Sequence, residues 1–176
     1  SSRDRTERIS RALEGAGFKS RVIADIRSEI WLKALGAVSI NPISALTHAT
    51  LEDICRYPGT RALAATMMAE AQAIGEKLGV SFKVSLDKRI AGAEAVGAHK
   101  TSMLQDVETG RALELDALVA SVIELGRITG TPSLHLRHAE IKVNGNQCRI
   151  HAQGLAIQVD RLAEQACRDG RIDATR

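Results

Sequence analysis

Residues 26–42 read I-R-S-E-I-W-L-K-A-L-G-A-V-S-I-N-P, and the reading of this stretch decides the fold of the chain. It holds the single tryptophan, Trp31, with Lys33 close behind and Asn41-Pro42 at its end. A helix turns about 100° per residue, so positions i, i+4 and i+8 drift by only ~40° per step. Lys33, Ala37 and Asn41 therefore share one narrow face, an ammonium at one end and a carboxamide at the other. Ile30, Ala34, Leu35, Val38 and Ile40 supply apolar surface around it. Such a strip suits a polar site in a cleft, and equally a solvated edge, because a lone helical lysine is rarely buried unless paired.

Composition narrows the classes. At 176 residues the chain is about one ordinary domain. Hydrophobic content of 44% and charged content of 26% are those of a globular protein. The net charge of +3, from 24 basic and 21 acidic residues, is small and scattered. Only Phe18, Trp31, Tyr57 and Phe82 are aromatic, so neither stacking platforms nor a phosphate-tracking patch is supported, and nucleic acid is not an expected partner. Cys55, Cys148 and Cys167 are far apart and fit no zinc spacing, which predicts idle thiols and no metal. No apolar run reaches the ~18 residues of a membrane span, and no charged-then-apolar leader opens the chain, so a cytoplasmic protein without a membrane partner is expected. Opening on Ser1-Ser2 without methionine suits a fragment or a processed product.

Taken in order, Thr6–Gly15 reads as a short amphipathic helix carrying Ile9 and Leu13. Phe18–Ala24 alternates as a short strand. Gly15-Ala-Gly17 is no dinucleotide loop, because Ser20 stands where the third glycine belongs and no strand precedes it. The spacing predicts a helix over 25–46, capped by Asp25 or Ser28 and broken or kinked at Pro42. Thr50 and Asp53 make a capping pattern for a short helix ending near Tyr57. Pro58-Gly59 punctuates, and Thr60–Leu78 is a strong helix whose Met67-Met68 pair suits core packing. Further helices are predicted over 86–98 and 101–107. Arg111–Arg127, apolar nearly all round, reads as a buried helix with Glu114 and Asp116 in its first turn. After Pro132 the period changes, and Asn144-Gly145 between two alternating runs signals a hairpin. Leu155–Arg168 returns to helical spacing. The expected class is mainly α.

Two stretches combine into a more specific pattern: W-L-K-A-L-G-A-V-S-I-N-P at 31–42 and H-K-T-S-M-L-Q-D-V-E-T-G-R-A-L-E-L-D at 99–116. Together, with alanine-rich helices between them, they resemble the C-terminal helical domain of the ketopantoate reductases (2-dehydropantoate 2-reductases) over roughly Glu7–Pro132. The resemblance implies a two-domain enzyme, an N-terminal Rossmann domain binding NADPH and a helical domain completing the site. Residues 1–24 would be a helix-strand remnant of that first domain, 25–132 the substrate and catalytic domain, and 133–176 a divergent tail with its hairpin. The implied reaction is hydride transfer to a small 2-oxo acid, ketopantoate to pantoate on the coenzyme A route being the type case. Carried over by position, Lys33 matches the family's catalytic lysine, and Asn41, Ser102 and Glu114 match its substrate-contacting asparagine, serine and glutamate.

The residue types suit that chemistry. Hydride addition to a ketone leaves charge on oxygen, which an ammonium stabilises and then protonates. A carboxylate such as Glu114 near Lys33 would favour its charged form, while burial would oppose it. Asn41 and Ser102 offer orienting hydrogen bonds, though Ser102 and Asp106 also suit helix capping. His99 and Lys100, just before that helix, read as surface residues. The pattern departs from the family in three places. Ala37 stands where the family carries an asparagine, no G-x-G-x-x-G occurs, and Ser133–Arg176 matches nothing in the family. The chain alone is thus expected to be inactive without the nucleotide domain. A different class remains open, a non-catalytic helical module for dimerisation or binding, and the apolar 111–127 segment suits a homodimer interface as well as a core.

Overall fold

The computed structural model describes residues 2–133 and 135–136, and the strand residues 141–144 and 147–150. The chain forms helices α1 (Ser2–Gly15), α2 (Ile26–Thr47), α3 (Leu51–Arg56), α4 (Pro58–Lys77), α5 (Leu86–Ala95) and α6 (Ser102–Glu108). A wide π-helical turn over Asp116–Ala120 then runs into α7 (Ser121–Thr129). The fold is mainly helical, and α2 is its hub: it packs against α3, α4, α6 and the π-turn. In turn, α4 packs against α3, α5 and α7, and α3 against α5.

Local chemistry explains the limits of α2. Asp25 is the N-cap: its carboxylate accepts from the Ser28 amide at 3.2 Å and from the Ser28 hydroxyl. These bonds hold the Asp25 carboxyl below the usual carboxylate range. The helix ends where His48 turns left-handed at φ 52°. Pro42 lies inside α2 without ending it, although a proline removes one ladder bond and costs ~3 kcal/mol in a helix interior. The compensation is burial, since Val38, Ile40, Pro42 and Ile43 are all packed away from water. The Ser39 and Thr47 hydroxyls bond back to the Leu35 and Ile43 carbonyls at 2.6 and 2.7 Å, which lets polar side chains share that buried stretch. By length and composition α2 is the one helix among the described residues that would suit a membrane, contrary to the expectation that no stretch reaches that length. Half of its most apolar window is instead buried against neighbouring helices.

The seat of α2 on α4 is set by a glycine. A Cβ built on Gly75 would stand 2.9 Å from Phe82 Cζ and 3.2 Å from Trp31 Cε3, so both rings lie against bare backbone. Around this contact Leu35, Val38, Met67, Ala71 and Ile74 form the core, each 0% exposed. Met67 and Met68 are core residues, as their spacing suggests. The cap of α3 is a complete box: Thr50 accepts from the Asp53 amide and Asp53 from the Thr50 amide. Pro58 occupies the first turn of α4, where its missing N–H costs nothing.

Several expectations are corrected. Phe18–Ala24 is irregular rather than a strand, and Phe18 is 65% exposed. A strand needs a neighbour to pair its amides and carbonyls, and the described residues offer this segment none. Helix α6 is capped by Thr101, which accepts from the Leu104 amide at 3.2 Å; neither Ser102 nor Asp106 serves as cap. The last core helix starts later than Arg111. Asp106 instead holds the Arg111 amide through its carbonyl and the guanidinium through its carboxylate, at 2.8 and 2.9 Å, which turns the chain aside after Gly110. Glu114 consequently sits just before the helix, its carbonyl accepting from the Leu118 amide at 3.0 Å. Nor is that segment buried all round: Val119, Val122 and Ile123 face the core, whereas Leu113, Leu118 and Leu125 are only half-buried and Ala112 is exposed.

After Pro132 the chain stays docked for some residues. The Glu70 carboxylate accepts from the His135 and Leu136 amides, both at 3.0 Å, and meets His135 Nδ1 at 2.8 Å, while Leu136 is 0% exposed. Strands β1 (Ile141–Asn144) and β2 (Gln147–Ile150) pair antiparallel with Ile141 opposite Ile150 and Asn144 opposite Gln147, which agrees with the hairpin expectation. The helix expected over 155–168 lies outside the described residues.

Two tests follow from this packing. Gly75→Ala should cost about 1–3 kcal/mol, because rings wedged against backbone must shift. Gly36→Ala, a mid-helix glycine with nothing within 4 Å of a built Cβ, should instead stabilise by ~0.5–1 kcal/mol. Urea midpoints of both variants check the opposite signs, and equal shifts would disprove the glycine-seat account. For Asp25, the lowered folded-state pKa means the cap stabilises while ionised, above the ordinary carboxylate range, and its contribution is lost as pH falls through the lowered value. Asp25→Ala should thus lower Tm at neutral pH, with the difference shrinking at strongly acidic pH. A gap constant across pH would disprove it.

Candidate active site

Lys33, Ala37 and Asn41 lie along α2, and the strip deepens along the helix. Lys33 is exposed, Ala37 and Asn41 are half-buried, and Pro42 beyond them is buried. Ile26 and Ile30 continue the same stripe toward the helix start and are 56% and 60% exposed. Ser102 is the first residue of α6, which packs against α2, and Glu114 lies in the irregular segment just before the π-turn; both are exposed.

The four sequence-predicted side chains share one property. Among the described residues, Lys33, Asn41, Ser102 and Glu114 make no side-chain hydrogen bond or ion pair. Lys33 and Glu114 are therefore not paired with each other. Their polar neighbours are engaged elsewhere. Lys100 is clamped to Glu108 at 2.8 Å, Asp106 to Arg111, and Thr101 is spent on its cap. Lys100 is thus not an idle cation, and His99 contributes its carbonyl to the Leu51 amide at 3.0 Å. A half-buried amide with no internal partner, as in Asn41, has its donors and acceptor available to a ligand.

Other titratable groups have structural tasks. Arg56 and Arg61 both reach Glu94 on α5, at 3.4 and 3.3 Å, and Arg56 also pairs with Glu52, tying α3, α4 and α5 together. Burial pushes the Cys55 thiol up, which leaves it protonated and unreactive. Burial likewise pulls the His48 imidazole down, against the opposing charge of Glu108. No group of three potential metal ligands gathers among the described residues.

Sequence reasoning missed Arg89. Its Nη1 donates to the Leu32 carbonyl at 3.5 Å, one residue before Lys33, while Nε and Nη2 are buried with no hydrogen-bond partner. Desolvation pulls the guanidinium below its ordinary value. Each buried donor left unmade costs on the order of 1–3 kcal/mol, so this arrangement opposes folding. Nothing in the Lys88-Arg89 dipeptide distinguishes this cation from a solvated helix residue, because its burial depends on how α5 docks.

Comparison with known proteins gives these residues a context. Residues 25–139 match the family model described as ketopantoate reductase PanE/ApbA, C terminal. A relative from Mesorhizobium japonicum named 2-dehydropantoate 2-reductase is 57% identical over 133 residues, covering 74% of this chain and 41% of that protein. A candidate ketopantoate reductase from Ralstonia solanacearum MolK2 superposes with a TM-score of 0.71 at 34% identity, over 92% of this chain and 44% of that one. The 2-dehydropantoate 2-reductase of Methylococcus capsulatus gives 0.72 at 25% identity, over 77% and 47%. The chain spans less than half the length of each, and the shared part contains α2, α6 and the π-turn with all four candidate side chains. The chain belongs to the ketopantoate reductase family and carries its helical C-terminal domain.

Proposed function

We propose that this domain is the substrate-binding and catalytic half of an NADPH-dependent 2-oxo-acid reductase, with ketopantoate to pantoate as the expected reaction. What supports the reading is a set of uncommitted polar groups: Lys33 and Asn41 on α2, Ser102 on α6, which packs against α2, and Glu114 just before the π-turn, each without an internal partner, while Lys100, Thr101 and Asp106 are engaged. Lys33 holds its ammonium toward the ketone oxygen, stabilises the charge that develops there and delivers the proton that completes the alcohol. Asn41 and Ser102 hydrogen-bond the substrate so that its carbonyl face is presented in one orientation. Glu114, exposed and without an internal partner, is assigned to substrate contact.

NADPH supplies the hydride when bound. The chain carries no G-x-G-x-x-G turn, so its own residues do not fit the dinucleotide, and that task belongs to a nucleotide-binding domain of which residues 1–24 would be the end. The exposed Ile26 and Ile30 beside Lys33 suit a face that such a domain covers. On this reading residues 25–132 form the substrate domain and 133–176 the tail, whose divergence starts only after residue 139, where the family match ends, and the enzyme assembles as a homodimer.

Mixed with NADPH and ketopantoate, the 176-residue chain should give no absorbance decay. Steady oxidation would overturn the claim that it is only half of the enzyme. Fused to the nucleotide-binding half of the Mesorhizobium japonicum relative, it should oxidise NADPH with ketopantoate. Lys33→Ala in that fusion should lower kcat/KM by roughly 10²–10⁴-fold, the range for loss of a general acid. Because Lys33 is exposed and unpaired, Tm should stay unchanged. A Lys33→Ala fusion that keeps its rate would overturn Lys33 as the general acid, and a wild-type fusion without turnover would leave the binding-module alternative.

A further inference from the structure

A 2-oxo acid carries a second demand that the four site residues do not meet. Its carboxylate is a full negative charge, and burying one without a cation costs several kcal/mol. Among Lys33, Asn41, Ser102 and Glu114 there is one cation, committed to the ketone oxygen, and one carboxylate, which repels another. A cation that the structure ties to this part of α2 is Arg89. Its Nη1 touches the Leu32 carbonyl, which belongs to the peptide unit leading into Lys33.

We propose that Arg89 anchors the carboxylate of the 2-oxo acid through its Nε–Nη2 edge, an assignment that rests on the reductase reading above. Three observations carry it. The two partnerless donors are Nε and Nη2, the side-on pair of the planar guanidinium. That fork matches the two oxygens of a carboxylate in parallel, short, charge-assisted bonds. The residue as a whole is only half-buried, whereas these two atoms are fully covered. The one bond that holds the head, at 3.5 Å, is at the long limit of hydrogen bonding, so a modest swing of the side chain presents the fork to a ligand without breaking a strong contact. The cost of the unmade donors in the free protein is recovered only when an acceptor arrives. An oxyanion bound there is also largely desolvated, where its attraction to the guanidinium is strongest.

The two ends of the substrate are then held by different elements. Lys33 on α2 meets the ketone oxygen, and Arg89 on α5 meets the carboxylate. Specificity for an acid over a neutral ketone follows, because a fork left without its acceptor penalises the neutral ligand.

The test uses the ¹⁵N-labelled 176-residue chain, in which a covered Arg89 Nε–H gives a slowly exchanging side-chain signal, assigned by its loss in Arg89→Lys. Ketopantoate, its neutral amide and inorganic phosphate are titrated separately. Ketopantoate should move the Arg89 Nε–H signal together with backbone signals near Lys33 and Asn41. The amide should move it far less, and Arg89→Lys should weaken ketopantoate binding at least tenfold with Tm maintained. Should ketopantoate move the Lys33 and Asn41 signals but leave Arg89 unmoved and Arg89→Lys without effect, the anchor is wrong and the reductase reading stands. A response of Arg89 to phosphate but not to ketopantoate also overturns the anchor and marks a phosphate contact. If no signal answers ketopantoate or its amide, the reductase reading fails and the anchor with it. The wild-type signal decides these outcomes even where Arg89→Lys does not fold.

Discussion

The structure depends on one close approach, the rings of Trp31 and Phe82 against the backbone of α4 at Gly75. Aromatic faces on bare backbone bring two helix axes nearer than any side chain at that point would permit, and the core from Leu35 to Ile74 assembles around the contact. The polar strip inherits its geometry from the same seat. With Trp31 seated there, Leu35 and Val38 lie in the core while Lys33 stays exposed and Asn41 half-buried. An exposed ammonium avoids the cost of burying an unpaired charge, and that cost favours the same seating.

Much of this fold is legible in the sequence because its signals are local. Asp25, Thr50 with Asp53, and Pro58 each act within one helical turn, and each does in the structure what its position suggests. The hairpin signal at Asn144 is local too. The misreadings fall where tertiary contacts decide. Pro42 does not break α2, the first of the two outcomes its position suggests, because burial on both sides of the proline outweighs one lost bond. Phe18–Ala24 alternates like a strand but has no partner among the described residues. Arg111–Glu114 has helical composition, yet Asp106 reaches Arg111 and diverts the chain.

The candidate site shows the same division. Lys33, Asn41, Ser102 and Glu114 stand out through the resemblance of two motifs, and the structure adds only that none of them is spent internally. That addition is informative because the competing reading of Ser102 was capping, a task that Thr101 performs. Arg89 and Glu70 were invisible for the opposite reason. Each is an ordinary charged helix residue in sequence, and each becomes unusual through a partner, or the lack of one, more than fifty positions away. Periodicity describes one element at a time and cannot report that an arginine of α5 ends under the surface beside α2.

Ala37 sits between these levels. The family pattern places an amide there, and the structure sets a methyl, half-buried, on the face between an exposed ammonium and a half-buried carboxamide. A methyl neither donates nor accepts, so any orienting hydrogen bond along the strip comes from its far end, at Asn41, or from across it, at Ser102. One contact fewer on α2 increases the reliance on whatever holds the acid group. The carboxylate is the strongest handle such a substrate offers, since charge-assisted bidentate bonds are roughly twice as strong as neutral ones. On the proposed reading, a strip poor in amides and a guanidinium fork poor in partners are two halves of one arrangement, in which orientation comes from the charged ends of the substrate more than from its middle.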